Sequence, residues 1–352
     1  MLSLLLAAGA LLSTPLPSSP DRPTVIVAVG AEGDADYGKR FAQWAQRWED
    51  AAERGNANFI AVGQDSPQFH GADLEASPSA ERAGDETDKA QLKTAIEAEL
   101  EPERAHQPLW IVLIGHGTFD GKQAKFNLRG PDVSDEELAE WLERCKRPLA
   151  VINCSSASAP FLTRLSGPGR VIVTATRTGN ENNVARFGDY LSSAIAAGGA
   201  DLDKDGQVSL LEAFLAASHR TAEFYKHEGR IQTEHALLDD NGDKLGISAD
   251  FFAGLRATKG AADGAAIDGP RARQYHLVLS PAEQAMPAER RAQRDQLEQA
   301  IEKLRQQKES LDESDYYSRL EPLLLELARI YATPSSPTSA PVKPPARPAA
   351  AP

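Results

Sequence analysis

Two residues capable of covalent chemistry occupy equivalent places in this sequence. One apolar run, Leu109–Ile114, leads directly into Gly115-His116-Gly117. Another, Leu149–Ile152, leads into Asn153-Cys154-Ser155-Ser156. An imidazole beside a thiol promotes its ionisation, and the thiolate then attacks a carbonyl carbon. The imidazole can pass the proton on to a leaving amine. The glycines around His116 permit close backbone approach, and the N–H groups of Gly117 and Cys154 are the candidate oxyanion donors. The competing reading makes Cys154 a small buried core residue. Ser155 is the weaker nucleophile beside the more readily ionised thiol. Cys145 falls on the apolar face of a helix and reads as packing. An extended strand separates it from Cys154, too far for a disulfide within the chain.

A second constellation is more specific. Asp201–Glu212 reads DLDKDGQVSLLE, with Asp201, Asp203 and Asp205 at loop positions 1, 3 and 5. Gly206 stands at the sharp turn of position 6. Gln207 offers its carbonyl at 7, Ser209 sits at 9, and Glu212 supplies a bidentate carboxylate at 12. Val208 is apolar at position 8. Val184, Phe187, Leu191 and Ile195 form an incoming helical face, and Leu210–Tyr225 an outgoing helix. The expected occupant is Ca2+, holding two helices together by neutralising clustered carboxylates; the bland alternative is a solvated acidic turn. A weaker copy follows, with Asp239, Asn241 and Asp243 at positions 1, 3 and 5, Lys244 where glycine belongs and Asp250 at position 12. It reads either as a second metal loop or as a polar turn. The other histidines show no zinc-ligand spacing.

These residues need elements to carry them. Thr24–Gly30, Asn58–Gly63, Leu109–Ile114, Leu149–Ile152 and Val171–Ala175 are short apolar runs of the kind found in strands covered on both faces. Helical spacing fills the gaps at Tyr37–Ala52, Ala90–Leu100 and from Ser134 onward, where Glu137 three residues later completes a capping-box signature. Alternating strands and helices give the α/β class, a mostly parallel sheet with helices on both faces. Ligands then bind outside the carboxyl ends of the strands, where His116 and Cys154 both fall. Tyr275–Leu279 is a further candidate strand.

The chain has 352 residues, 38 basic and 51 acidic, a formal net charge of −13, and two cysteines. That balance argues against a nucleic-acid surface or a basic membrane patch. Two cysteines make neither a disulfide scaffold nor a four-thiolate zinc site. Residues 1–23 open with the apolar run Met1–Leu12, too short for a bilayer span, and read as a secretory signal segment and linker. The expectation is therefore an exported protein without a stable membrane span. Residues 24–258 form the α/β domain, with the stretch Gln64–Glu86 as a long Ser/Pro/Gly-rich connection. The Ala/Gly/Asp-rich residues 259–273 read as a linker. Residues 274–332 read as a C-terminal helical region, a hairpin of Ala288–Leu311 with Leu320–Tyr331. It is either a structural appendage or a protein-partner surface. Residues 333–352 read as a disordered Pro/Ala-rich tail.

An apolar strand ending in His-Gly, then an apolar strand ending at Cys 38 positions later, resembles the caspase–legumain–gingipain clan of cysteine peptidases. The legumain-like branch is the nearest in pattern. The resemblance spans roughly Thr24 to Phe252 and implies a three-layer α/β/α sandwich. By it, His116 is the dyad histidine and Cys154 the nucleophile. Val171–Asn183 is similar to the segment lining the primary specificity pocket there. In that segment Arg177 would pair with an acidic substrate side chain and Glu181 with a basic one; either also suits an internal ion pair. The chain departs from the clan in having Asn153 rather than a small residue before the cysteine, and Ser155-Ser156-Ala157 after it. The implied activity is a calcium-stabilised cysteine endopeptidase acting on peptide or protein substrates. The alternatives are a catalytically inactive calcium-binding interaction module and an acyl transferase that passes the same acyl group to an amine.

Overall fold

A computed structural model describes residues 22–63, 87–104, 106–263 and 265–332. Most of the expected signal segment, the Gln64–Glu86 connection and the 333–352 tail lie outside the described residues. Strand β1 (Thr24–Val29) leads to helix α1 (Ala35–Arg54), strand β2 (Asn58–Val62), helix α2 (Asp88–Ala98) and strand β3 (Leu109–Ile114). Three short strands follow, β4 (Gly117–Phe119), β5 (Ala124–Phe126) and β6 (Val133–Ser134), then helix α3 (Asp135–Trp141) and strand β7 (Leu149–Asn153). Next come α4 (Ala159–Leu165), β8 (Arg170–Thr174), α5 (Phe187–Ala197), α6 (Leu210–His227) and β9 (Leu237–Asp239). The described residues end in α7 (Pro281–Ala285), α8 (Ala288–Gln306) and α9 (Glu313–Ala332).

The main sheet has the order β2-β1-β3-β7-β8-β9. The first five strands are mutually parallel, and β9 runs antiparallel to β8. Period-2 alternation splits the strand side chains into two cores. Val25, Val27, Val29, Val112, Ile114, Ile152 and Val173 face α1, α5 and α6, among them Trp44, Trp48 and Phe214. Ile26, Ala28, Ile111, Leu113, Val151 and Ile172 face the side of α2, α3 and α4, with Leu92, Leu138 and Phe161. The result is a three-layer α/β/α sandwich with a mostly parallel sheet. Each of the larger aliphatic side chains, Val, Leu or Ile, contributes about 1.5–3 kcal/mol by leaving water. At the amino ends of β1, β3 and β7, the buried Arg147 donates to Glu99 (2.5 Å), to the Pro108 carbonyl (3.0 Å) and to the Gln107 carbonyl (2.7 Å). Thr24 donates its hydroxyl to the same Glu99 (2.7 Å).

Several expectations change in detail. The capping box at Ser134 and Glu137 is present, but α3 stops at Trp141, so Cys145 lies beyond it, half-buried. The small antiparallel sheet β4-β5-β6 gives no long apolar run to read. Tyr275–Leu279 is not a strand: a single bridge joins Ser209 to His276. The Lys259–Arg273 segment, expected as a linker, carries the fully buried Asp268 and Ala272. Asp240 fastens it by accepting from the N–H groups of Gly269 (2.9 Å) and Ala272 (2.7 Å). Tyr275 and Leu277 continue into the main core. Helix α9 begins at Glu313, earlier than its apolar repeat, because the polar residues of its first turns carry no hydrophobic period. No helix among the described residues is long and apolar enough to cross a membrane.

Candidate functional site at the carboxyl edge of the sheet

His116 leaves the carboxyl end of β3 on the α1 side. Its ring is edge-on to Tyr37 (centroids 5.2 Å apart) and to Phe41 (5.3 Å). Nε2 lies 3.0 Å from the carbonyl oxygen of Glu32, in the β1–α1 loop. A carbonyl only accepts, so Nε2 carries the proton and donates. Among the described residues no hydrogen bond engages Nδ1.

The thiol expected opposite it is elsewhere. Leu113 of β3 stands beside Asn153 of β7, so Cys154 comes level with Ile114, two residues short of His116. Its N–H continues the ladder by donating to the Leu113 carbonyl (2.9 Å), which removes it as a free oxyanion donor. The side chain is 1% exposed and belongs to the α1–α5–α6 core. Gly188 of α5 lies directly over it: a Cβ there would sit 2.7 Å from the Cys154 Cβ and 2.9 Å from Trp44. Burial, with the nearby Glu234 carboxylate adding to it, pushes the thiol up to about 12. No hydrogen bond joins Cys154 to His116 among the described residues. The described geometry does not bring the expected dyad together by a hydrogen bond, and the Cys154 N–H is committed to the sheet. The residue types are present, but the strand register sends Cys154 into the core.

Ser155 and Ser156 take the place level with the His116–Gly117 turn. A Cβ on Gly117 would lie 2.8 Å from Ser155 Oγ and would run into the Ser156 carbonyl. The Gly117 N–H donates to Ser156 Oγ (3.1 Å), and that hydroxyl donates back to the Gly117 carbonyl (3.1 Å). Ser155 Oγ is fully buried and donates to Asn153 Oδ1 (2.7 Å). Both hydroxyls and the Gly117 N–H are thus engaged internally, and no side-chain base hydrogen-bonds either serine among the described residues.

The specificity candidates pair with each other. Arg177 Nε lies 3.4 Å from Glu181 Oε1, and Glu181 also lies 2.6 Å from His235 Nδ1. The exposed Arg177 borders a cleft of about 770 Å³ that includes Lys122, Thr178 and Gly179. Glu234, with no periodic signal in its polar surroundings, is a functional-looking residue that the sequence reading missed. It is fully buried and accepts from the N–H groups of Arg186 (2.7 Å) and Phe187 (3.0 Å) and from the Tyr225 hydroxyl (3.1 Å). It thereby caps α5 with negative charge, although burial raises its pKa.

The acidic loop joins α5 to α6. Ligand oxygens of Asp201, Asp203 and Asp205 gather within 4.8 Å of one another. Burial, then the charges of Asp205 and Glu212, raise the pKa of Asp203, and Arg273 offsets this only in part. Such a set of hard oxygens, short of positive charge, fits a divalent cation. Glu212 Oε1 accepts from the Leu202 N–H (2.7 Å), and Oε2 from the Ser209 N–H (2.8 Å), folding the carboxylate back over the loop. Ser209 Oγ caps α6 through the Glu212 N–H, and Gln207 Oε1 accepts from the Ser280 N–H (3.1 Å). In the second acidic loop, Asp239 accepts from the N–H groups of Gly242 (2.9 Å) and Lys244 (3.1 Å), and the Asn241 amide donates to Asp243 (3.2 Å).

No protein-family model matches the chain, and no curated protein does. Solved structures do. The Drosophila initiator caspase Dronc is 14% identical, with a TM-score of 0.38 over 66% of this chain and 85% of that one. Caspase-1 from Spodoptera frugiperda is 7% identical, with a TM-score of 0.37 over 67% and 94%. The protein GSU0716 from Geobacter sulfurreducens is 12% identical, with a TM-score of 0.37 over 62% and 92%. Identities of 7–14% give no residue correspondence.

Proposed function

We propose that this chain is a non-hydrolytic, calcium-stabilised binding module built on a caspase-like α/β/α sandwich. The observation that carries the proposal is the Cys154 thiol, 1% exposed, packed beneath Gly188 and pushed up to about 12. At pH 8 such a thiol is ionised in on the order of one molecule in ten thousand. The module works outside the cytoplasm, in keeping with the apolar run Met1–Leu12. It engages a protein partner, to which the C-terminal helices offer Tyr317, Leu324 and Leu325 on an exposed face. Asp201, Asp203, Asp205, the Gln207 carbonyl and Glu212 would hold the Ca2+, which supplies fixed positive charge and no chemistry.

The rival is a cysteine endopeptidase using His116 and Cys154. One observation favours it: no hydrogen bond engages His116 Nδ1 among the described residues. A peptide ketone reactive toward thiols separates the two, applied with and without calcium in a Cys145→Ala background. The binding-module reading expects no labelling of native protein beyond that of the further variant Cys154→Ala, and labelling only after unfolding. Rapid calcium-dependent labelling of Cys154, with cleavage of a peptide library, would overturn it in favour of the peptidase.

A further inference from the structure

We propose that the cleft between α1 and the α5–α6 end is a binding site for a small organic phosphate or sulfate ester. The cleft encloses about 300 Å³ and is lined by Arg40, Arg186 and Arg230, with Tyr37, Tyr225 and Ile231. That volume is at the low end of small-molecule pockets and too small for a folded partner. The protein has 51 acidic side chains against 38 basic ones, so carboxylate partners are plentiful. Nevertheless none of these three guanidinium groups makes an ion pair among the described residues. The cleft's own carboxylate, Asp189, is taken by Arg47 (2.5 Å). Glu234 accepts from the Arg186 and Phe187 N–H groups and the Tyr225 hydroxyl, and the Arg186 charge acts on it without an ion-pair contact.

Two of the three arginines stack on aromatic rings, and Arg230 is exposed at the mouth of the cleft. Arg186 has its main-chain N–H fixed by Glu234 and its guanidinium carbon 4.0 Å from the centre of the Phe224 ring. Arg40 lies 5.7 Å over the Tyr37 ring. Stacking orients a guanidinium plane and leaves its in-plane donors for an anion. Three arginines around one small volume suit a tetrahedral oxyanion with three or more acceptor oxygens better than a single carboxylate. Ile231 is 88% exposed at the rim, and the Tyr37 ring lines the wall, so the organic part of the ester has an apolar surface to lie against. The site uses neither Cys154 nor the calcium loop, so it stands or falls apart from the reading of the thiol.

The test is titration calorimetry on the full chain, in buffer without added calcium, using phenyl phosphate, phenyl sulfate and benzoate as probes. We expect one saturable site for phenyl phosphate or phenyl sulfate, the stronger probe identifying the oxyanion, with benzoate at least about tenfold weaker. Arg186→Gln and Arg230→Gln should each weaken binding about tenfold or more. The exposed Arg230 tolerates replacement, and an unchanged ligand-free melting temperature verifies the fold of both variants. No saturable heat at low millimolar probe, wild-type affinity in both variants, or preference for benzoate would each overturn the proposal.

Discussion

Asp268 is fully buried, and its Oδ1 accepts the N–H groups of Asp240 (2.9 Å) and Asn241 (3.2 Å). Its Oδ2 is buried with no hydrogen-bond partner among the described residues. Burial first, and the Asp240 carboxylate second, push Asp268 up to about 9. The folded protein therefore keeps a proton there that the unfolded chain releases near pH 4, the ordinary aspartate range. Between about pH 4 and about pH 9 the native state binds more protons than the unfolded one, so this group makes stability fall as pH rises through that window and level off above it. Asp268→Asn has no such proton to lose and keeps an acceptor for the two N–H groups. Its melting temperature should decline less than that of the wild type across this window. A parallel decline in the two proteins would assign the slope to other groups. The same lesson in burial applies to Cys154. A cysteine at a strand end is visible in the sequence. Which way it faces is not, because both faces of β7 are covered and the apolar run Leu149–Ile152 has no polar alternation to reveal parity.

At the scale of elements, the strands and helices around the site were legible because their apolar periods are long. β3 falls on Leu109–Ile114 as expected, and α5 and α6 flank the acidic loop. What was not legible is the short antiparallel sheet after His116 and the anchoring of 259–273, which depend on single hydrogen bonds rather than on repeats. The two acidic loops show how far a motif determines shape. Positions 4 and 6 are left-handed in both: Lys204 (φ 64°) and Gly206 (φ 87°) in the first, Gly242 (φ 82°) and Lys244 (φ 70°) in the second. Asp205 accepts from the Gln207 N–H, and Asp243 likewise from the Leu245 N–H. The backbone turn is thus shared, while the glycine has moved from position 6 to position 4. A lysine at positive φ costs about 1–2 kcal/mol, which glycine avoids at a smaller entropic penalty. Lys244→Gly should therefore raise stability by up to about 1 kcal/mol, read as a higher urea midpoint with an unchanged slope. A lowered midpoint would show that the lysine side chain contributes more than its backbone conformation costs.

For the whole molecule, the first acidic loop is the point where three parts of the chain meet. It closes α5 onto α6, and its Gln207 side chain holds the Ser280 N–H at the start of α7. Its Asp203 lies 3.3 Å from Arg273, in the segment anchored by Asp240. The Ser209–His276 bridge lies alongside. A cation bound among Asp201, Asp203 and Asp205 would neutralise charge at that junction, on a chain whose formal charge is already −13. Its effect should therefore reach beyond the loop. Binding to the native state alone stabilises by about 2.7 kcal/mol when free calcium is a hundredfold above Kd. Calorimetry of the full chain should show a melting temperature several degrees higher with calcium than with chelator, since about 1 kcal/mol shifts a domain of this size by about 2–4 °C. Asp203→Asn and Asp205→Asn should each abolish most of that difference. Hydrogen exchange should show where the gain lies: chelation should speed exchange in α5, α6 and residues 275–280 and leave β1, β3 and β7 protected, because those strands are held by the two cores. An unchanged melting temperature with chelator would remove calcium from the account. Uniform deprotection of the sheet would instead make the loop a determinant of global folding rather than a local clasp.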